Sequence, residues 1–221
     1  MKYTIRVNEV KKEAGNVKGF ATLVFGESFK ITNIAILENK DKGQLFVSMP
    51  RYKSNEIDQN GNTIYKDVCN PITAEFREEL YKSILEEYER VKVEGQPERG
   101  SQKEIMPPEF SITVTPYERE GSNIRGLARI YFEDSFIVNN VNILQGKEKI
   151  FVSMPSYKTK KKDENGKDIY QDICYPITKE FRENLFAEIE KTYEEAKQKQ
   201  NENGKEQDGF IKAPNEPLPF R

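Results

Sequence analysis

Two stretches of the chain alternate apolar and polar residues, which is the pattern of a β-strand buried on one face. The apolar face carries Val17, Ala21, Leu23 and Phe25 in the first stretch and Ile124, Ala128, Ile130 and Phe132 in the second. In the stretch that follows each of these, the apolar parity changes, at Thr32-Asn33 and at Asn139-Asn140. A β-bulge at each change would return the apolar residues to one face, so we expect two bulged antiparallel pairs.

A long hairpin is predicted next. A short apolar strand over 45–49 is stopped by Pro50, and Asn60-Gly61 is a strong signal for a hairpin turn. The strand that returns from this turn covers 63–69. The equivalent elements further along the chain are the turn Asn165-Gly166 and the strand 168–174.

A helix follows each hairpin. Thr73 and Thr178 have the residue type and position of helix N-caps. Every fourth residue after them is apolar: Phe76, Leu80, Ile84 and Tyr88 in one helix, and Phe181, Leu185, Ile189 and Tyr193 in the other. Because a single apolar stripe must be covered, we expect each helix to lie on its sheet.

These elements occur twice because the chain contains an internal repeat. Residues 46–89 and 151–194 align without a gap and are identical at 25 of 44 positions, which excludes a chance match. Two copies are too few for a solenoid, so a pseudo-two-fold pair of units is predicted. We therefore expect an α+β fold of two repeated units, each a small antiparallel β-sheet with a long hairpin and a C-terminal helix, paired as an intrachain pseudo-dimer. The predicted boundaries are repeat one at 1–92, a linker at 93–109, repeat two at 110–195 and a disordered tail at 196–221.

The composition of the chain excludes several kinds of catalytic and metal-binding site. The 221 residues include 35 basic and 37 acidic side chains but no histidine. That absence excludes Ser-His-Asp and Cys-His catalysis, imidazole bases and zinc sites with a histidine ligand. The chain also lacks a phosphate-binding glycine loop and a dense acidic metal loop. We expect a protein that is not an enzyme and holds no cofactor or metal.

The two cysteines, Cys69 and Cys174, cannot supply a four-thiolate metal site, and each ends a predicted strand beside apolar residues. We interpret both as buried small hydrophobic residues. Unpaired cysteines without an export signal, and no apolar run long enough to span a membrane, predict a cytoplasmic protein that does not enter a membrane.

The repeated core resembles the SpoVG family of bacterial septation and sporulation regulators. The motif Phe-Val-Ser-Met-Pro occurs at 46–50 and at 151–155, and Asp-(Val/Ile)-Cys-x-Pro-Ile occurs at 67–72 and at 172–177. The resemblance covers both copies and omits the linker and tail. It implies a small antiparallel sheet with a C-terminal helix, dimeric through the sheet, and a regulator that binds DNA or RNA. A histidine that precedes Pro-Ile in the family is replaced here by Asn70 and Tyr175.

The hairpins carry the candidate nucleic-acid site. Residues 157–162 hold four lysines, whereas the matching loop of the first copy holds one arginine and one lysine before its acidic residues. Lysine and arginine beside an aromatic ring suit phosphate contact with base stacking; a solvated hairpin tip is the alternative. The candidate residues are Arg51, Tyr52, Lys53, Tyr157, Lys158, Lys160, Lys161 and Lys162.

Six further residues either recur in both copies or share a strand face. Arg125 and Arg129 project from one sheet face and form a second candidate surface, with an ordinary solvated face as the alternative. Arg77 and Arg182, near the helix starts, are interpreted as ion-pair partners of Asp67 and Asp172, with contact to a binding partner as the alternative. Tyr65 and Tyr170 are interpreted as sheet-packing residues.

The preferred hypothesis is a cytoplasmic bacterial regulator that binds DNA or RNA as a monomer with internal pseudo-two-fold symmetry. Because the net charge is −2, we expect modest affinity and a shallow salt dependence. The alternative is a non-enzymatic protein-interaction adaptor that has lost nucleic-acid binding and acts through protein partners.

Overall fold

Each repeat folds into an antiparallel sheet followed by one helix, in a computed structural model that describes residues 1–11, 15–96, 104–118 and 120–204. The first repeat contains β1 (Tyr3–Glu9), β2 (Val17–Phe25), β3 (Phe29–Glu38), β4 (Leu45–Ser48), β5 (Arg51–Ile57), β6 (Thr63–Asp67), β7 (Cys69–Pro71) and α1 (Ala74–Glu94). The second contains β8 (Phe110–Pro116), β9 (Ile124–Phe132), β10 (Phe136–Gln145), β11 (Ile150–Ser153), β12 (Ser156–Lys162), β13 (Asp168–Asp172), β14 (Cys174–Pro176) and α2 (Lys179–Gly204). The predicted α+β fold of two repeats is confirmed.

Both helices begin where the sequence predicts. The Thr73 hydroxyl accepts a hydrogen bond from the Phe76 amide at 3.3 Å, and Thr178 caps α2 with the same geometry. The predicted apolar stripes are buried against the sheets. Close packing there depends on Gly19, since a Cβ at this position would lie 3.3 Å from the Tyr88 ring and 3.0 Å from the Asn8 carbonyl oxygen.

Both predicted bulges are present. The pairing register shifts at Thr32-Asn33 in β3 and at Asn139-Asn140 in β10. Asn33 and Asn140 adopt φ of 62° and 56°, a left-handed conformation that asparagine tolerates better than most residues. Beyond the bulges, the apolar residues of β3 and β10 continue on the buried face.

The two repeats exchange their shortest strands. β14 of the second repeat pairs with the first half of β3, which belongs to the first repeat. The second half of β3 pairs with β4 of its own repeat. In the same way β7 of the first repeat pairs with β10. The sequence did not predict this exchange, because each exchanged strand is only three residues long and carries no pairing signal of its own.

A cluster of phenylalanine rings fills the contact between the repeats. The ring centroids of Phe29 and Phe132 are 4.8 Å apart, and those of Phe25 and Phe136 are 5.1 Å apart. All four side chains are fully buried. Because the rings come from both sheets, the apolar core is shared between the repeats rather than divided into two.

Two features of the described structure differ from the sequence prediction. β1 and β8 form an outer strand in each sheet that the sequence analysis did not identify. α2 continues to Gly204, beyond residue 196 where the disordered tail was predicted to begin. The added segment begins with alternating lysine and glutamine over residues 197–200, and these residues favour helix without needing a buried face. The rest of the predicted tail, 205–221, lies outside the described residues.

The shared aromatic core generates a stability prediction. We expect Phe29→Ala to lower the free energy of unfolding by about 3–5 kcal/mol, because a fully buried ring between the repeats is lost. Phe46→Ala is the matched control, since this ring is 43% exposed and its loss should cost about 0.5 kcal/mol or less. Urea unfolding followed by circular dichroism gives both values, and equal losses would contradict a shared core.

Candidate nucleic-acid interface

Two hairpins project from the sheets as separate two-stranded arms. The first arm is residues 51–67 (β5, β6 and their turn), and the second arm is residues 156–172 (β12, β13 and their turn). Each arm closes through an aspartate. Asp163 accepts hydrogen bonds from the amides of Asn165 and Lys167, both at 2.8 Å, and Asp58 does the same in the first arm. The predicted Asn-Gly turns are confirmed, with positive φ at both glycines.

The base of each arm is held by the bulge of the other repeat. The Thr32 amide donates to the Ile173 carbonyl at 2.8 Å, just after the second arm ends. The Asn139 amide donates to the Val68 carbonyl at 2.8 Å, just after the first arm ends. A side-chain bond reinforces the first arm, since Asn140 Nδ2 donates to the Tyr52 hydroxyl at 3.1 Å. The strand exchange therefore positions both arms.

The second arm presents lysines that differ in their pairing. Lys158 Nζ lies 2.6 Å from Asp168 Oδ2, and Lys162 Nζ lies 4.0 Å from Asp168 Oδ1. The hydrogen bond to Asp168 raises the pKa of Lys158. Lys160 and Lys161 lie between them, where the pairing of the two strands is interrupted, and both are exposed. Among the described residues, no carboxylate lies within 4 Å of either ammonium group.

The first arm holds two of its three cations, Arg51 and Lys66, in ion pairs. Arg51 Nε lies 3.8 Å from Asp67 Oδ1, and its Nη2 donates to the Ser48 hydroxyl at 3.0 Å. Lys66 Nζ lies 2.9 Å from Glu56 Oε1. Lys53 is exposed and has no such pair among the described residues. The two arms thus have similar backbone conformations and differ in charge.

The tyrosines occupy the opposite roles to those the sequence predicts. Tyr52 is buried at 9% exposure, and Tyr157 is half-buried with its hydroxyl donating to Gln171 at 2.9 Å. Tyr52 therefore cannot stack on a base. Tyr65 and Tyr170, expected to pack in the sheet, are 57% and 45% exposed.

Each exposed tyrosine lies opposite a lysine. Tyr65 pairs across the strands with Lys53, and Tyr170 pairs with Lys158. The sequence contained the signal, because strand parity outward from the turn places Tyr170 on the same face as Lys158. The interpretation of Tyr170 as a packing residue followed instead from the general tendency of tyrosine in strands to pack against a sheet.

The second candidate surface is only partly free. Arg125 is half-buried, and its Nη1 donates to the carbonyls of Ser122 at 2.9 Å and Ile124 at 3.1 Å. Arg129 is exposed and lies across from Thr113. Arg125 is thus engaged by its own loop, whereas Arg129 makes no ion pair with any carboxylate in the part of the chain that the structure describes.

The arginines near the helix starts make different contacts from those expected. Arg77 Nη2 donates to the Pro71 carbonyl at 3.1 Å, and Arg182 Nη2 donates to Pro176 in the same way. The predicted ion pairs with Asp67 and Asp172 do not form as direct contacts in the described structure. Each arginine instead ties the end of an exchanged strand to the first turn of the following helix.

Burial changes the pKa of the two aspartates at the arm bases, Asp67 and Asp172. Desolvation raises the pKa of Asp172 against the opposing charge of Arg182, and raises that of Asp67 against Arg51 and Arg77. Because each pKa is higher in the folded chain than in the unfolded chain, the folded state binds these protons more tightly. Stability from this source therefore falls as the pH rises from the ordinary aspartate pKa through the raised value.

Metal-binding clusters and membrane-spanning helices are both absent from the described part of the chain. No group of three or more cysteine, aspartate and glutamate side chains is placed to hold a metal ion there. None of the helices described is both long and apolar enough to cross a membrane.

Comparison with known proteins identifies the repeated unit. The SpoVG family model matches the chain twice, over residues 1–90 and 108–195. A protein of Treponema denticola with the assigned name septation protein SpoVG is 34% identical over 89 residues, which cover 40% of this chain and 86% of the relative. Proteins of the same name from Clostridium perfringens (32% over 88 residues, 40% of this chain and 88% of the relative) and Phytoplasma australiense (36% over 74 residues, 34% and 71%) are also similar. Each relative therefore matches about one repeat.

The bulge contact at the first arm generates a prediction. We expect Asn140→Gly to destabilise the protein by about 1 kcal/mol, because it removes the hydrogen bond to Tyr52 and keeps the left-handed backbone. Asn140→Ala should cost about 1 kcal/mol more, since alanine adopts a positive φ poorly. Thermal and urea unfolding measure both, and an alanine variant as stable as the glycine variant would contradict the backbone argument.

Proposed function

The chain belongs to the SpoVG family, and we propose that it is a bacterial regulatory protein, linked to septation as the names of its relatives indicate, that binds DNA or RNA through its second arm. The observation that carries the proposal is the pair of exposed lysines, Lys160 and Lys161, that lack a neighbouring carboxylate among the described residues. The proposal includes no catalytic step and no cofactor.

Phosphate contact is the first part of the proposed interaction. Lys160 and Lys161 can each neutralise a backbone phosphate without first breaking an ion pair. Lys158 and Lys162 must share Asp168, so their contribution is smaller. The ion pairs are exposed and therefore weak, which lets a phosphate compete with the carboxylate.

Base stacking is the second part. Tyr170 exposes its ring beside Lys158, and an aromatic ring next to a cation is the arrangement that binds single-stranded nucleic acid. Tyr65 and Lys53 repeat this pair in the first arm, where the surrounding charge is nearly balanced. We therefore propose that a single strand or an unpaired loop is preferred over a duplex, with the second arm as the stronger contact.

The charge contribution can be measured directly. We expect Lys160→Ala/Lys161→Ala to bind a labelled single strand about 10-fold more weakly at low salt, because two phosphate contacts are lost. The slope of log K against log salt should become shallower by about 1.4, which is 0.7 for each phosphate contact. Fluorescence anisotropy with DNA and RNA at several salt concentrations gives both quantities.

Two variants make this test specific. Lys82→Ala/Lys92→Ala changes the net charge equally on α1, where both lysines face glutamates, and should leave binding within about two-fold. Asp168→Asn should strengthen binding, since it frees Lys158 and Lys162. Equal loss in both double-lysine variants would show that only overall charge matters, and would remove the second arm as the site.

The stacking contribution has its own test. Tyr170→Ala should weaken binding of a single strand by roughly 5- to 150-fold, which corresponds to the 1–3 kcal/mol of one stacked base. Tyr170→Phe keeps the ring and should bind nearly as well as the original protein. If the phenylalanine variant is as weak as the alanine variant, the hydroxyl and not the ring makes the contact. Tyr65→Ala reports in the same assay on the first arm.

A protein-docking role is the second candidate, and the outer faces of the sheets favour it. Phe20 of β2 and Phe46 of β4 lie on the two strands that flank β3 in the first sheet and are 41% and 43% exposed. Phe151 is 43% exposed on the second sheet. Exposed aromatic side chains on one face are typical of protein contacts. Absence of salt-sensitive binding to both DNA and RNA would leave this as the function.

A further inference from the structure

The strand exchange places the second arm next to the first sheet. The arm ends at Asp172, and β14, which begins two residues later, pairs with β3 of the first sheet. Tyr175 of β14 is therefore separated from the end of the arm by at most about 10 Å of chain. A ligand held by the second arm would meet the first sheet next, although the arm and that sheet belong to different repeats.

The outer face of the first sheet is the face opposite to the one that α1 covers. Its side chains alternate with the buried residues of β1 to β4 and β14. Arg6 is exposed on β1 and Lys30 is half-buried on β3, and in the described part of the chain neither lies within 4 Å of a carboxylate. Phe20 and Phe46 expose their rings on the same face.

Acidic residues border this face but do not lie on it. Glu9 and Glu38, at the ends of β1 and β3, pair with Gly19 and Leu45 and share the parity of the buried residues. Glu27 lies in the turn after β2 and accepts a hydrogen bond from the Thr4 hydroxyl at 3.1 Å. The outer face is thus locally cationic in a chain whose acidic residues slightly outnumber its basic ones.

The part of the face nearest the second arm joins a cation to a ring. Tyr175 pairs across the strands with Lys30, whose Nζ lies 5.9 Å from the centroid of the tyrosine ring. The corresponding pair on the second sheet is Asn70 with Ile137, which has neither charge nor ring. The exchange therefore brings the more cationic arm to the sheet that has the cation–aromatic pair.

These charges select among the occupants that an open sheet face could take. A second copy of the face would place cations against the same cations, which disfavours self-association. A single nucleic-acid strand offers phosphates to the cations and bases to the rings. Open sheets with exposed aromatic rings stack unpaired bases in this way.

We propose that a single-stranded nucleic acid bound at the second arm continues onto the outer face of the first sheet, where Arg6 and Lys30 contact phosphates and Phe20 and Tyr175 stack on bases. Arg6 and Lys30 are two strands apart and offset by two residues along the strands, a separation of about 12 Å, so they reach different phosphates. The inference rests on the proposed function, because the arm makes the first contact.

The experiment uses the full chain and labelled single strands of about 4 and about 12 nucleotides, which lie within the known range of site sizes. Lys30→Ile/Tyr175→Asn copies the pair that the second sheet already carries, so the variant should fold, as circular dichroism will check. It should bind the longer strand at least about 5-fold more weakly, because one stacked base is lost. Its salt slope should be shallower by about 0.7, the contribution of one phosphate. The shorter strand, held by the arm, should bind within about two-fold of the original protein.

Two single variants separate the ring from the charge. Phe20→Leu copies Leu127, the corresponding residue of the second sheet, and should weaken binding of the longer strand by about 5-fold. Arg129→Ala removes an exposed cation from the outer face of the second sheet and is the charge-matched control, expected to stay within about two-fold. A strand carrying iododeoxyuridine should also cross-link to peptides containing Phe20 or Tyr175 when irradiated.

Each contrary result has a separate meaning. If both first-sheet variants bind the longer strand as tightly as the original protein while Lys160→Ala/Lys161→Ala weakens it, the inference is wrong and the proposed function stands, which leaves the face for a protein partner. An equal loss in Arg129→Ala would show a general effect of charge and would also overturn the inference. Absence of binding to either strand by the original protein would overturn the inference and the proposed function together.

Discussion

The exchange of two three-residue strands is the interaction on which the rest of this structure depends. β14 and β7 each complete the sheet of the other repeat, and the carbonyls just before them accept hydrogen bonds from the opposite bulge. This crossing brings the phenylalanine rings of both sheets into one core and fixes the base of each arm. Without it, each repeat would expose an unpaired sheet edge and a large apolar surface to water.

Joining the two repeats in one chain changes what the arms can do. Two identical subunits would have to carry identical arms, because a two-fold interface repeats every side chain. Here Lys160 and Lys161 of the second arm correspond in the repeat to Asn55 and Glu56 of the first. The backbone is shared, including the turn closed by an aspartate and the interrupted strand pairing. Charge is therefore free to differ between arms that the fold treats as equivalent.

The near-zero net charge is an average over surfaces that differ. The helices hold much of their charge in pairs three or four residues apart, such as Arg90 with Glu87 and Lys191 with Glu188. These pairs are local and present little net field to a ligand. The second arm instead concentrates cations where the strand pairing is interrupted. A nucleic acid bound at this arm would interact with the local positive charge and not with the net charge of the whole molecule, because salt screens charges beyond about 8–10 Å.

The sequence by itself determined many of the features that depend on near neighbours along the chain, although it did not predict β1, β8 or the last turns of α2. The helix caps, the apolar stripes, the Asn-Gly turns and both bulges follow from residue type and spacing, and the repeat indicated a paired α+β fold. Only the tertiary structure decided which strands are exchanged, and that Tyr52 is buried while Tyr65 and Tyr170 are exposed. Three-residue strands carry too little pattern to specify a partner, and the exposure of a tyrosine depends on what packs over it. These outcomes are set by contacts between residues far apart in the chain, which the spacing of residues along one strand cannot encode.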